Sequence, residues 1–137
     1  MGLRRRLTTL AMSAALATPV VVAAAAPASA ATPQFARLSI APAQDHPGYF
    51  DVYVSGHFNT TATLATVGMR LKGDDPVFND DLGVWRTGQA WYGDFTLYAL
   101  VSRGVLNEDK DGRDEIFAYV SSSTGWSINT PNVNGYY

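Results

Sequence analysis

The chain has 137 residues, with twelve acidic and ten basic side chains, two histidines and no cysteine. Without cysteine there is no disulfide framework and no thiol nucleophile, and the acidic balance argues against a nucleic-acid partner, which calls for a basic patch. Arg4, Arg5 and Arg6 fall within the first thirty residues while every acid follows them, so the chain from residue 31 sets seven basic against twelve acidic side chains, a formal charge of −5.

Residues 1–30 read as a signal peptide. The three arginines form a positive n-region, Leu7 to Ala26 is apolar or small almost throughout, and Ala28-Ser29-Ala30 has the small-x-small form of a cleavage site. The expected product is a secreted, extracellular domain over 31–137 with no membrane span after processing. Eight arginines against two lysines point to a bacterium of high GC content. Roughly a hundred residues suffice for one domain with a two-layer core.

In chain order, Phe35 to Ile40 places Ala36, Leu38 and Ile40 at period two, a first strand. Ala41 to Gly48, with two prolines, reads as a loop. Tyr49 to Phe58 is the clearest strand, with Phe50, Val52, Val54 and Phe58 on one face and Asp51, Tyr53, Ser55 and His57 on the other. Asn59-Thr60 is expected to make a hairpin turn into Ala62 to Leu71, where Thr63, Ala65, Val67, Met69 and Leu71 align. Lys72 to Gly83 reads as a polar loop with four aspartates, and Val84 to Tyr92 as a strand interrupted at Gly88. A turn at Gly93-Asp94 leads into a long strand, Phe95 to Leu106. Beyond an acidic loop, Ile116 to Ser122 is another strand, Ser123 to Gly125 a turn, and Trp126 to Tyr137 a last strand or two around Pro131 and Gly135. The expectation is all-β: an antiparallel β-sandwich of about seven or eight strands, C2-like or jelly-roll-like.

The acidic loop is the most informative stretch. Five acids lie within residues 107–115, with side-chain oxygens at Asn107, Asp109 and Asp111, a glycine at Gly112 and an acid again at Glu115. Calcium takes six to eight oxygens, and a loop winding around it offers alternate positions across a glycine-allowed turn, with a backbone carbonyl at the seventh. The stretch resembles the D-x-[DN]-x-D-G start shared by EF-hand loops and integrin-type FG-GAP repeats. In the FG-GAP pattern an acid at the ninth position is followed by an aliphatic residue entering a strand, matched here by Glu115 and Ile116. The resemblance implies calcium held by Asn107, Asp109, Asp111, Glu115 and the carbonyl of Arg113. Ala118 stands where an EF-hand has its twelfth-position glutamate. A second stretch, 73–83, loosely resembles the acidic loop of C2 domains and implies further calcium ligands at Asp75, Asp80 and Asp81.

Signatures of catalysis are missing. There is no G-x-S-x-G elbow, no H-E-x-x-H helix and no phosphate-cradling glycine loop. His57 with Asp51 could be imagined in a serine hydrolase, and Asp51 with Asp94 as glycosidase carboxylates. Trp91 and Trp126 are candidate ligand-binding platforms, since exposed rings stack on the apolar faces of sugars; their ordinary alternative is core packing. The sequence therefore points to a calcium-binding module for a polysaccharide or for a cell-surface or secreted protein. The alternative is an enzyme without a recognisable motif, or an enzyme inhibitor using the 41–48 loop.

Overall fold

The computed structural model describes residues 31–75, 79–107 and 112–137. The expected signal peptide, residues 1–30, lies outside them, as do Asp109 and Asp111 of the first acidic loop. No helix among the described residues is long and apolar enough to cross a membrane.

Among the described residues, eight antiparallel strands account for nearly all of the regular structure. They are β1 (Phe35–Pro42), β2 (Tyr49–His57), β3 (Leu64–Asp74), β4 (Asn79–Trp91), β5 (Asp94–Ser102), β6 (Asp114–Ser122), β7 (Ser127–Asn129) and β8 (Val133–Gly135), with one helical turn, α1 (Arg103–Leu106), after β5. The hydrogen-bonded order is β1-β2-β5-β4-β3-β6-β7, with β8 also on β6. Strands β3, β4 and β5 form a meander, and β6 returns to lie beside β3, which is a Greek key.

The two layers meet along one line. Between β4 and β5 only Trp91 and Asp94 are in register, whereas β2–β5 and β3–β4 pair along most of their length. The sheet therefore folds over at this hairpin, with β1-β2-β5 as one layer and β4-β3-β6, carrying β7 and β8, as the other. β1 comes back against β6, β7 and β8, so the sheet is nearly closed.

Period-two alternation decides what lies between the layers. Val52 and Val54 on β2, Leu97, Ala99 and Val101 on β5, Val67, Met69 and Leu71 on β3, and Ile116, Ala118 and Val120 on β6 are all buried in one cluster. Each large aliphatic or aromatic side chain taken fully out of water contributes about 1.5–3 kcal/mol. Phe58, just past β2, closes one end, with Trp126 stacked on it at 4.9 Å and 17° and Phe95 tilted against both. At the other end the Tyr137 ring meets Phe50 edge-on at 5.3 Å.

Several connections differ from the sequence expectation. Residues 58–63 do not make a hairpin, because β2 pairs with β1 and β5 while β3 pairs with β4 and β6; the segment is a crossover between layers. Strands β3 and β4 run deep into the stretch expected as a polar loop, with Asp74 opposite Asn79. β4 runs unbroken through Gly88, and the register shift falls on β3 instead, between Arg70 and Lys72. The β4–β5 turn is Tyr92-Gly93, one residue earlier than expected, with both central residues at positive φ, 50° and 89°. That is the type I′ geometry, which matches the twist of the flanking strands.

Candidate functional site

The outer face of the β1-β2-β5 layer is unusually aromatic. Alternation that sends Val52 and Val54 inward sends Tyr49, Asp51, Tyr53, Ser55 and His57 outward. On β5 the outward set includes Asp94, Thr96 and Tyr98, and on β1 it includes Phe35 and Arg37. Register sets Ser55 opposite Thr96 and Tyr53 opposite Tyr98, and the two tyrosine rings lie 5.0 Å apart. Tyr98 donates its hydroxyl to Asp51 Oδ1 at 2.8 Å. This bond, followed by burial and the Asp51 charge, pushes the Tyr98 phenol above its ordinary value.

Where β4 and β5 splay beyond their hairpin, a depression of about 460 Å³ opens, lined by Phe35, Ser55, Gln89, Trp91, Asp94 and Thr96. The Trp91 ring is 60% exposed on its rim. Hydroxyls and an amide therefore alternate with open ring faces, the chemistry that recognises a polyhydroxylated ring from its edge and its face at once.

His57 finds a partner that sequence spacing does not reveal. Its Nδ1 donates to Asp94 Oδ1 at 2.8 Å, and its Nε2 faces Asn59 Oδ1 at 3.3 Å. Strand register makes the first contact, since His57 is directly opposite Asp94. Both ring nitrogens face side-chain oxygens and no hydroxyl, so the pair orients the hairpin rather than activating a nucleophile. Asp51 lies opposite Leu100, six residues along β5 from Asp94, which is about 20 Å. That is too far for either a His57–Asp51 relay or an Asp51–Asp94 glycosidase pair, whose carboxyls sit within about 10 Å. The 41–48 loop is tied down by backbone bonds, Ala43 N–H to Tyr49 and Tyr49 N–H to His46, and by Arg103 N–H donating to Gly48. It is a turn pinned at its ends, with only Ala43 buried.

The calcium expectations divide. Asn107, Arg113 and Glu115 are exposed at the two described edges of the first acidic loop, with Asp109 and Asp111 outside the described residues. In the second stretch Asp80 and Asp81 are consecutive on β4, so their side chains leave opposite faces of the strand and do not converge on one ion. Asp81 Oδ1 accepts the Gly83 N–H at 2.9 Å and its Oδ2 lies 3.8 Å from Arg70. Asp75 follows the end of β3, and its neighbour Asp74 accepts from Asn132. The C2-like set is thus not gathered, because the residues expected as loop are strand. Among the described residues no three His, Asp or Glu side chains come together as a metal cluster.

Trp126 is half-buried and packs on the core through Phe58, so that candidate platform is a structural ring. Sequence reading missed Tyr98 and Phe35 as exposed rings, and set Tyr53 on the polar face of its strand without making it a platform. The period-two pattern of Tyr49 to His57 carried the signal for Tyr53, while the others became visible only with the strand order. Compared with family models, curated proteins and solved structures, the chain finds no match.

Proposed function

We propose that the chain is a secreted, non-catalytic binding module that holds a polysaccharide against the outer face of its β1-β2-β5 layer. The observation that carries this reading is the exposed run of rings from Trp91 to the Tyr53–Tyr98 pair around a polar depression. Tyr98 lies four residues along β5 from Asp94, the register partner of Trp91, so the rings span about 13 Å, several sugar units of an extended chain. Exposed rings in such a row leave apolar area in water with no folding benefit, which marks interaction surfaces. The test is retention on insoluble neutral polysaccharides. Trp91→Ala and Tyr53→Ala should each weaken retention while leaving the β circular-dichroism spectrum unchanged. No retention of the unmutated protein on any neutral polysaccharide rejects the reading.

A calcium ion in the 107–115 loop belongs to the same reading. It rests on the alternate-position spacing of Asn107, Asp109, Asp111 and Glu115 around Gly112, and its role is structural: the loop leads from one layer to the other.

A further inference from the structure

The outer face of the other layer carries a groove of different chemistry. Rows run across β4, β3 and β6: Trp85 and Tyr119 lie on either side of Arg70, and Thr87 and Ser121 on either side of Gly68. These six residues bound a hollow of about 210 Å³. At ~30 Å³ per water it holds roughly seven waters, the space of a single sugar ring. Trp85 is 64% exposed, and Tyr119 forms the opposite wall.

The floor is the decisive feature. A glycine inside a strand weakens it, and usually a positive φ or a close neighbour explains its presence. A Cβ on Gly56 would strike the Phe35 carbonyl oxygen, one on Gly88 would come 2.7 Å from Leu97, and one on Gly135 would meet the Tyr137 ring at 2.6 Å. Gly83 and Gly93 have positive φ. Gly68 has neither reason: a Cβ there would make ordinary contacts at 3.6 Å with the Arg86 carbonyl and the Thr87 methyl. What a side chain at 68 would cost is the hollow itself, and close approach of a ligand is one recognised reason for a strand glycine.

Arg70 gives the ligand its charge. It makes a loose, exposed ion pair with Asp81 at 3.8 Å, too long for a hydrogen bond, and the guanidinium is largely exposed at the groove. In a domain with a formal excess of acids, a guanidinium set between two aromatic walls selects a carboxylate, which it can bind through two parallel N–H bonds. We infer that the groove over Gly68 is a second saccharide subsite, specific for a uronic-acid unit whose carboxylate is taken by Arg70 and whose ring lies over Gly68, beside the Trp85–Arg70–Tyr119 row. This rests on the polysaccharide-binding reading and names the sugar class for this end of β4, about 20 Å along the strand from Trp91.

The test uses isothermal titration of the full secreted chain with tetrasaccharides of galacturonate, mannuronate and guluronate, and with cellotetraose as the neutral control. The inference expects binding of at least one acidic oligomer. Trp85→Ala and Arg70→Gln should each weaken it roughly tenfold to a hundredfold, and added salt should weaken it as well. Gly68→Val should abolish it, and Gly68→Ala should weaken it while leaving Tm unchanged or raised, because the smaller Cβ fits the folded strand and restricts the unfolded chain. Trp91→Ala should leave acidic binding intact. No heat with any uronate, or uronate binding that survives Trp85→Ala, Arg70→Gln and Gly68→Val together, overturns the inference. Retention on neutral polysaccharide that is weakened in Trp91→Ala and Tyr53→Ala but kept in Trp85→Ala decides the first site separately.

Discussion

Trp91 and Trp126 look alike in the sequence, each near a turn and beside a strand, and their surroundings separate them. Trp126 stacks on the fully buried Phe58 and touches Phe95, so removing it opens a hole at one end of the core. Trp126→Ala should cost about 3 kcal/mol, a fall in Tm of more than about 10 °C for a domain this size. Trp91→Ala, on an exposed rim, should change stability by no more than about 0.5 kcal/mol. Thermal melts of the two variants check this, and equal losses would mean that the rim ring is also packed. At Gly93 the requirement is backbone geometry: φ is positive, and a Cβ would run into the Phe58 carbonyl oxygen, whose N–H is bonded to the Gly93 carbonyl at 3.1 Å. One glycine thus ties the fold-over hairpin to the crossover out of β2.

At the scale of elements, β4 has the exposure problem of an edge strand, since beyond Trp91 its far side is not in register with β5. Two side chains blunt it. Arg86 Nη1 donates to the Trp85 carbonyl at 2.7 Å, and Asp81 accepts the Gly83 N–H where φ turns positive. The β2–β5 pair has the opposite character, with full register and the Tyr98–Asp51 bond laid diagonally across its outer face. The sign of its pH dependence follows from the raised phenol. The neutral hydroxyl donates to the carboxylate, whereas a phenolate would face a negative charge. The contribution is therefore complete below the ordinary tyrosine value of 10.0 and is lost as pH rises through the higher folded value. Tyr137, raised first by burial and then by the Asp114 charge, behaves with the same sign. Phenolate absorbance titrated through alkali should show a late component above pH 10. Asp51→Asn should move part of it back toward the ordinary value by removing both the acceptor charge and its repulsion. A titration curve identical in the two proteins would show that the bond is not made in solution.

At the scale of the whole molecule, two connections hold the layers in their Greek-key order: residues 58–63 between β2 and β3, and residues 103–113 between β5 and β6. The first is pinned by Phe58 and by Tyr92 N–H donating to the Thr63 carbonyl. The second begins with α1, anchored by the fully buried Leu106, and ends at Asp114, buried at the start of β6. A cation on the acidic residues between those anchors would stabilise the connection without touching the core. With an extracellular-type dissociation constant on the order of 0.1–1 mM, calcium at ten times that constant adds about 1.4 kcal/mol. The expected rise in Tm is roughly 6–11 °C between excess EDTA and millimolar calcium. Asp111→Ala should abolish the rise. Asp94→Ala should leave it, because Asp94 starts β5 and the acidic loop follows the far end of that strand. A melt indifferent to calcium, with no heat of binding, would make the stretch an ordinary solvated loop.

The sequence by itself determined the all-β class, because period-two alternation in 35–40, 49–58, 62–71 and 116–122 can bury one face only as strands. It also determined most of the core, for the same local reason: a residue's face is set by its parity along the strand. It did not determine partners. Asn59-Thr60 passed for a hairpin because turn residues report a change of direction, not whether the next strand pairs with the last. Asp80 and Asp81 passed for loop ligands because charge is favourable in a loop and on an exposed strand alike. Only the tertiary structure decided that His57 meets Asp94 and not Asp51, that Trp126 is core while Trp91 is rim, and that Trp85 and Tyr119 flank Arg70 on either side. The physical reason is common to all three: cross-strand contacts depend on strand order and register, and these are set by how the whole chain folds over its hairpin to close one core.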